Sequence, residues 1–216
     1  MRIAFLHTGA VVIPPVMARA RTELPDAEFI NYLDDRIVAD LSDPEHSGSV
    51  PERVAGLARA AADAGADAVM LTCSSISSLA AGAAERAAIP VLRIDEAMAD
   101  TAVDAGSRIA VLATLPTTLR PTVSLLQERA ALRGTRIEIS EEVVDGAFAA
   151  VSSGDRARHD VLVAEAIRRA AAADVVVLAQ ASMSSAAETV EVAVPVLTSI
   201  APGIRRLKQI MKGTDA

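Results

Sequence analysis

Cysteine is nearly absent from this chain: Cys73 stands alone among 216 residues. A single thiol forms neither an internal disulfide nor a cysteine-based zinc site, and that usage points to a reducing, cytoplasmic setting. Aromatic residues are also scarce, with Phe5, Phe29, Tyr32 and Phe148 and no tryptophan. A single-strand nucleic-acid binder would have almost nothing on which to stack bases. Lysine is confined to Lys208 and Lys212, while the other 19 basic residues are arginine. A pyridoxal-phosphate enzyme needs a lysine Schiff base in its pocket, so that cofactor is not expected. A cysteine hydrolase assisted by lysine is disfavoured for the same reason. The net charge of −7 argues against a phosphate-binding surface for DNA or RNA. No apolar run approaches the ~18 residues of a membrane span. The run Ile3–Leu6 stops at His7 and reads as a buried strand, not a signal peptide. His46 and His159 have no metal-ligand spacing around them, so no metal site is expected.

Against these absences stands ample core material. Hydrophobic residues make up 51% of the chain and charged residues 23%, a globular composition. Short apolar runs predict strands at Arg2–His7, Glu28–Tyr32, Asp67–Thr72, Pro90–Ile94, Arg108–Ala113, Arg136–Ile139, Asp174–Ala179 and Val194–Thr198. Most show little polar alternation, as in strands buried on both faces of a parallel sheet. Alanine-rich helical stretches lie between them. One starts at Pro51, in an N1-like position, and others run near Ser78–Ala88, Pro121–Leu132, Ala157–Ala172 and Pro202–Met211. This alternation predicts an α/β fold with parallel strands. The irregular segment Asp40–Val50 reads as a surface loop of the kind that covers a site.

The chain also repeats itself. Arg2-Ile-Ala-Phe-Leu-His-Thr8 matches Arg108-Ile-Ala-Val-Leu-Ala-Thr114 at five of seven positions, offset by 106. Ala66–Ser78 matches Ala173–Ser185 at seven of thirteen, offset by 107. A Pro-Val-Leu strand follows each, at Pro90 and Pro195. The ordinary likeness of buried strands explains the apolar matches. It does not explain Ala-Asp before the strand and Ser-x-Ser-Ser after it. The repeat predicts two similar parallel-sheet α/β/α halves related by a pseudo-two-fold, with an active-site cleft between them. Residues 1–97 plus 198–216 would form the first half and 98–197 the second.

Ligands of open parallel sheets bind beyond the carboxyl ends of the strands. In the first half those ends carry His7, Thr8, Cys73, Ser74 and Ser75. In the second they carry Thr114, Thr117, Thr118, Gln180 and Ser182. Hydroxyls and backbone N–H groups at helix starts suit a small carboxylate. Cys73 follows a buried strand and precedes a helix, a position that favours the reactive thiolate, although buried cysteines are commonly inert. His7 reads either as a proton shuttle or thiol-orienting group or as a strand-end histidine that caps the backbone. Thr117 and Thr118 read as anion-binding residues or as simple helix caps.

Leu71-Thr-Cys-Ser-Ser75, Val111-Leu-Ala-Thr-Leu-Pro-Thr-Thr118 and the two similar halves resemble the Asp/Glu/hydantoin racemase superfamily over nearly the whole chain. The resemblance implies cofactor-independent enzymes that move a proton beside a carboxylate or carbonyl, with two facing cysteines in the racemases. It also takes in arylmalonate decarboxylases, with one catalytic cysteine, and maleate isomerases, in which a cysteine adds to substrate. It makes Cys73 the catalytic thiol and Ser74, Ser75, Thr117 and Thr118 holders of the substrate carboxylate. It places Thr8 against substrate or thiol. Gln180 stands where the second cysteine belongs; an amide is neither acid nor base at neutral pH but donates and accepts hydrogen bonds. The resemblance therefore implies a racemase or isomerase of small carboxylates, such as amino acids or hydantoins. The alternatives are a single-cysteine decarboxylase or other lyase, a maleate-isomerase-like enzyme of di-acids, and a non-catalytic carboxylate binder. It further implies a homodimer or higher homo-oligomer, with no nucleic-acid or membrane partner.

Overall fold

Runs such as Ile3–Leu6 and Val175–Leu178 have no polar face, so they are stable only where both faces are covered. The computed structural model, which describes residues 1–214, covers them with helices. The elements are β1 (Arg2–His7), α1 (Ile13–Glu23), β2 (Glu28–Leu33), α2 (Ile37–Leu41), α3 (Val50–Asp63), β3 (Ala68–Leu71), α4 (Ala80–Ala87) and β4 (Val91–Arg93). There follow α5 (Glu96–Ala105), β5 (Arg108–Ala113), α6 (Pro116–Leu132), β6 (Glu138–Val143), α7 (Ala147–Ser152), α8 (Arg156–Ala170), β7 (Val175–Leu178), α9 (Ser184–Ala187), β8 (Val196–Leu197) and α10 (Ile200–Thr214).

The strands form two four-stranded parallel sheets, ordered β2-β1-β3-β4 and β6-β5-β7-β8. The chain forms two compact units: Met1–Asp95 with the segment from Ile200 onward, and Glu96–Ser199. In the first unit Leu6, Val54, Ala58, Leu71 and Ile76 share one core cluster. In the second, Val111, Leu125, Leu126 and Val177 build a core on one sheet face, and Leu112, Val163, Ile167 and Leu178 on the other. Each fully buried Leu, Ile or Val contributes about 1.5–3 kcal/mol relative to exposure.

The repeated Ala-Asp dipeptides have a structural explanation. The Asp67 carboxylate accepts the Arg2 backbone N–H at 2.7 Å. The Asp174 carboxylate accepts the backbone N–H groups of Ser107 and Arg108 at 3.1 and 2.9 Å and is held by the Arg108 guanidinium at 2.7 Å. These pairs fasten the amino end of each unit's central strands. The guanidinium and these backbone donors hold the Asp174 carboxyl below its usual range.

Three elements depart from the expectations. Within Asp40–Val50 the chain ends α2 and forms a 3₁₀ turn, Ser47–Ser49. Arg53 of α3 holds the start of the segment by ion pairs to Asp40 and to Asp34 before it. Helix α6 begins at Pro116, five residues before the expected start, and carries Pro121 inside it. Strand β6 runs on to Val143 as an edge strand whose exposed glutamates hide its strand character from an apolar-run reading.

Candidate functional site

Within the first unit, the carboxyl ends of β1 and β3 bring His7, Thr8 and Cys73 onto adjoining strand ends. Leu6 pairs with Leu71, so the residues just beyond them are neighbours. Cys73 is extended (φ −128°, ψ 124°) and opens a 3₁₀ turn, Ser74–Leu79. Its side chain is half-buried, whereas Thr8, Ser74 and Ser75 are buried. The Cys73 carbonyl accepts the Ile76 N–H at 3.2 Å, which closes the turn.

His7 is fully buried and both ring nitrogens are engaged. Nε2 lies 2.9 Å from the Asn31 side-chain oxygen, and Nδ1 lies 2.8 Å from the Thr72 hydroxyl. Burial pushes the imidazole pKa below its ordinary value, and the Asn31 contact offsets this only in part. A neutral ring that donates Nε2–H to Asn31 must accept at Nδ1. The Thr72 hydroxyl lies between Nδ1 and the Leu6 carbonyl, 2.8 and 3.0 Å away, and the same carbonyl also accepts the Thr72 backbone N–H at 3.1 Å. Asn31 and Thr72 escaped the sequence reading, because only strand register reveals contacts across three strands.

Beyond the thiol, Ser77 is also tied down. Its hydroxyl donates to the fully buried Asp95 carboxylate at 2.5 Å and accepts from the Arg93 Nε at 3.3 Å. Both partners lie at or just past the end of β4.

In the second unit, the ends of β5 and β7 bring Thr114 and Gln180 together. Gln180 is extended (φ −127°, ψ 138°) and opens the 3₁₀ turn Ala181–Met183, as Cys73 does in its own unit. The Gln180 side-chain oxygen accepts the Thr114 backbone N–H at 2.5 Å and the Thr114 hydroxyl at 3.0 Å. An N–H donor requires an acceptor, so the orientation of the amide is fixed: its oxygen is spent on Thr114 and its NH₂ is presented as a pure donor. The turn itself is held from α8, where the Arg156 guanidinium donates to the Ser182 carbonyl at 2.7 Å. Asp160 of the same helix accepts the Ser185 hydroxyl at 2.9 Å. Arg156 and Asp160 had no signal in the sequence.

Thr117 and Thr118 occupy the first turn of α6, at the end of β5. Leu115 occupies the N-cap with no side-chain cap, and Pro116 supplies no N–H. The Thr118 N–H closes back on the Leu115 carbonyl at 3.1 Å. Among the described residues, no group of three or more His, Cys, Asp or Glu is placed to hold a metal ion. Nor is any described helix long and apolar enough to cross a membrane.

A model of the Asp/Glu/hydantoin racemase family matches residues 8–207 of the chain. A comparison with curated proteins found no match. Among solved structures, glutamate racemase from Francisella tularensis subsp. tularensis in complex with D-glutamate has a TM-score of 0.77 at 15% identity, over 99% of this chain and 82% of that one. Allantoin racemase from Klebsiella pneumoniae has a TM-score of 0.72 at 21% identity, over 99% of this chain and 89% of that one. A glycine-to-cysteine mutant of arylmalonate decarboxylase, in its sulfate-associated form, has a TM-score of 0.62 at 21% identity, over 100% and 95%. At these identities the likeness establishes the fold.

Proposed function

Because the chain belongs to the Asp/Glu/hydantoin racemase family, we propose that it is a cofactor-independent racemase or isomerase in which Cys73 moves a proton on a small carboxylate. The family's small acids (amino acids, hydantoins and related compounds) are the substrate class. The reading rests above all on the half-buried thiol at a parallel-strand end, opening a turn of buried serines. As base, the Cys73 thiolate takes the proton from the carbon beside the carboxylate, and the C–H electron pair passes into an enolate. As acid, the thiol returns a proton to that carbon on its own face, and inversion takes a second proton path, through His7 or water, that protonates the opposite face and leaves the first proton on Cys73. The developing negative charge needs hydrogen-bond donors placed in advance. The Gln180 NH₂ supplies two, and Ser74, Ser75, Thr8, Thr114, Thr117, Thr118 and Ser182 are the proposed carboxylate holders.

A second reading is favoured by one observation, the locked Gln180 amide. A donor-only amide does not deliver a proton by acid/base exchange at neutral pH. Proton delivery then comes from Cys73 alone, as in a decarboxylation: the C–C bond breaks, CO₂ leaves, its electron pair stays on the carbon, and the thiol protonates it.

The two readings separate in D₂O. The protein is incubated with amino acids, hydantoins, malonates and maleate while NMR follows deuterium uptake and product. Uptake with inversion identifies a racemase; uptake on one face, or loss of CO₂, identifies the one-sided reaction. Binding without any turnover would identify a non-catalytic binder and overturn both. Cys73→Ala abolishes turnover at least a thousandfold; wild-type rates in that variant would remove the thiol from the mechanism.

A further inference from the structure

We propose that His7 and Thr72 are positioning residues that hold Cys73 in its reactive geometry, acting through a hydrogen-bond line across three strands that is buried at His7 and Thr72. The inference rests on the reading of Cys73 as the reacting thiol. The line runs from Asn31 on β2, through His7 on β1, to Thr72, the residue before Cys73. His7 is fully buried and Thr72 nearly so. Buried polar groups are costly unless each is satisfied, so such a line in a sheet core requires a reason.

The second unit shows that the fold does not supply one. Its sheet has the same strand order, and the repeat places Ala113 opposite His7 and Ala179 opposite Thr72. The same strand ends are therefore built there with two alanines, both buried. That unit carries Gln180 where the first carries the thiol. The His7–Thr72 pair therefore has no counterpart at the matching positions of the second unit, where both residues are alanine. The turn after the thiol differs in the same way: Ser77 reaches across to Asp95 at 2.5 Å, whereas Ser184, its counterpart, bonds its own turn at the Ala181 carbonyl at 2.9 Å. The thiol's segment is thus anchored at Thr72 on one side and at Ser77 on the other. A nucleophile or base that must meet a carbon at a fixed distance gains most from such anchoring, since small misplacements cost large factors in rate.

The hydroxyl is the element to test. Thr72→Val keeps the shape and removes the hydroxyl that links His7 to the Leu6 carbonyl, whereas Thr72→Ser keeps that hydroxyl. Cys73 is the only cysteine, so mass spectrometry reads its alkylation by iodoacetamide directly in the folded protein, without any known substrate. Thr72→Val is expected to slow alkylation at least fivefold and Thr72→Ser to remain within twofold of the parent. Asn31→Ala removes the other partner of His7 from an exposed position, spares the core, and slows alkylation in the same direction. On any acid the parent turns over, Thr72→Val lowers kcat at least tenfold with KM within twofold. Alkylation within twofold of the parent in both Asn31→Ala and Thr72→Val, or in Asn31→Ala alone where Thr72→Val does not fold, overturns the proposal. Slowed alkylation with no turnover of any acid by the parent supports it and overturns the proposed function instead.

Discussion

At the scale of single residues, the two strand ends differ in what each side chain does with protons. Cys73 and Gln180 were legible in the sequence, because the repeat aligns them and only their chemistry differs. The behaviour of His7 was not: whether a strand-end histidine shuttles protons or sits neutral depends on burial and on Asn31 and Thr72, which only the register supplies. Its titration is testable. The native pKa lies below the ordinary ~6.5. Above that value both native and unfolded chains carry a neutral ring, and its contribution to stability is complete. As the pH falls below ~6.5 the unfolded chain gains a proton that the native chain refuses, so stability declines by at most ~1.4 kcal/mol per pH unit. The decline ends once the native ring titrates. Urea unfolding between pH 7.5 and 5 is expected to show this loss in the parent and a flatter profile in His7→Gln. Equal slopes would mean that His7 titrates normally. The depressed carboxyls of Asp40 and Asp174 act in a lower window, losing their contribution as the pH falls below the usual carboxylate range.

At the scale of elements, helix placement depends on contacts too distant in sequence to read. Pro121 marks a helix start under the N1 rule, yet α6 begins at Pro116 and tolerates Pro121 within it. The strands were easier, since a run such as Val175–Leu178 has no other use for its side chains. Helix α10 shows what the sequence conceals: nothing in Pro202-Gly-Ile204 announces that a backbone passes against it. A Cβ at Gly203 would lie 2.3 Å from the Ile94 carbonyl oxygen and 2.8 Å from the Ile94 Cγ1. Ile94 is buried at the end of β4, so the clash falls on backbone that cannot rotate away. Gly203→Ala is expected to destabilise by about 1–3 kcal/mol, a fall in Tm of roughly 2–12 °C for a chain of this size. Gly82→Ala is the control. It lies inside α4 with nothing within 4 Å of the added methyl, and it should stabilise by about 0.5–1 kcal/mol. Thermal unfolding of the two variants side by side checks both; a Gly203→Ala protein as stable as Gly82→Ala would refute the close approach.

At the scale of the whole molecule, one strand order occurs twice with different chemistry at matching strand ends. The sequence carried this duplication in five of seven residues of one strand and seven of thirteen around another. It carried it because buried strands and their Asp staples keep similar residues wherever the same strand order is built. The substrate was not legible, because hydroxyls and backbone N–H groups at strand ends suit a small carboxylate whatever its side chain. The asymmetry itself yields the sharpest test of the mechanism. Gln180 and Cys73 have nearly the same backbone conformation, −127° and 138° against −128° and 124°, so a cysteine at position 180 needs no conformation that this chain does not already give one. Gln180→Cys removes the acceptor of the Thr114 N–H and hydroxyl, which costs about 1–3 kcal/mol where the buried donors find no substitute, and it removes the donor NH₂. In return it supplies a second group able to carry a proton. If Cys73 alone limits the parent to exchange on one face, the variant is expected to invert the exchanged acid at least tenfold faster than the parent, at a Tm a few degrees lower. Alkylation of two thiols by mass confirms the substitution, and Cys73→Ala in the same background should return inversion to zero. A folded variant with two reactive thiols and no gain in inversion would show that position 180 does not address the carbon that Cys73 serves.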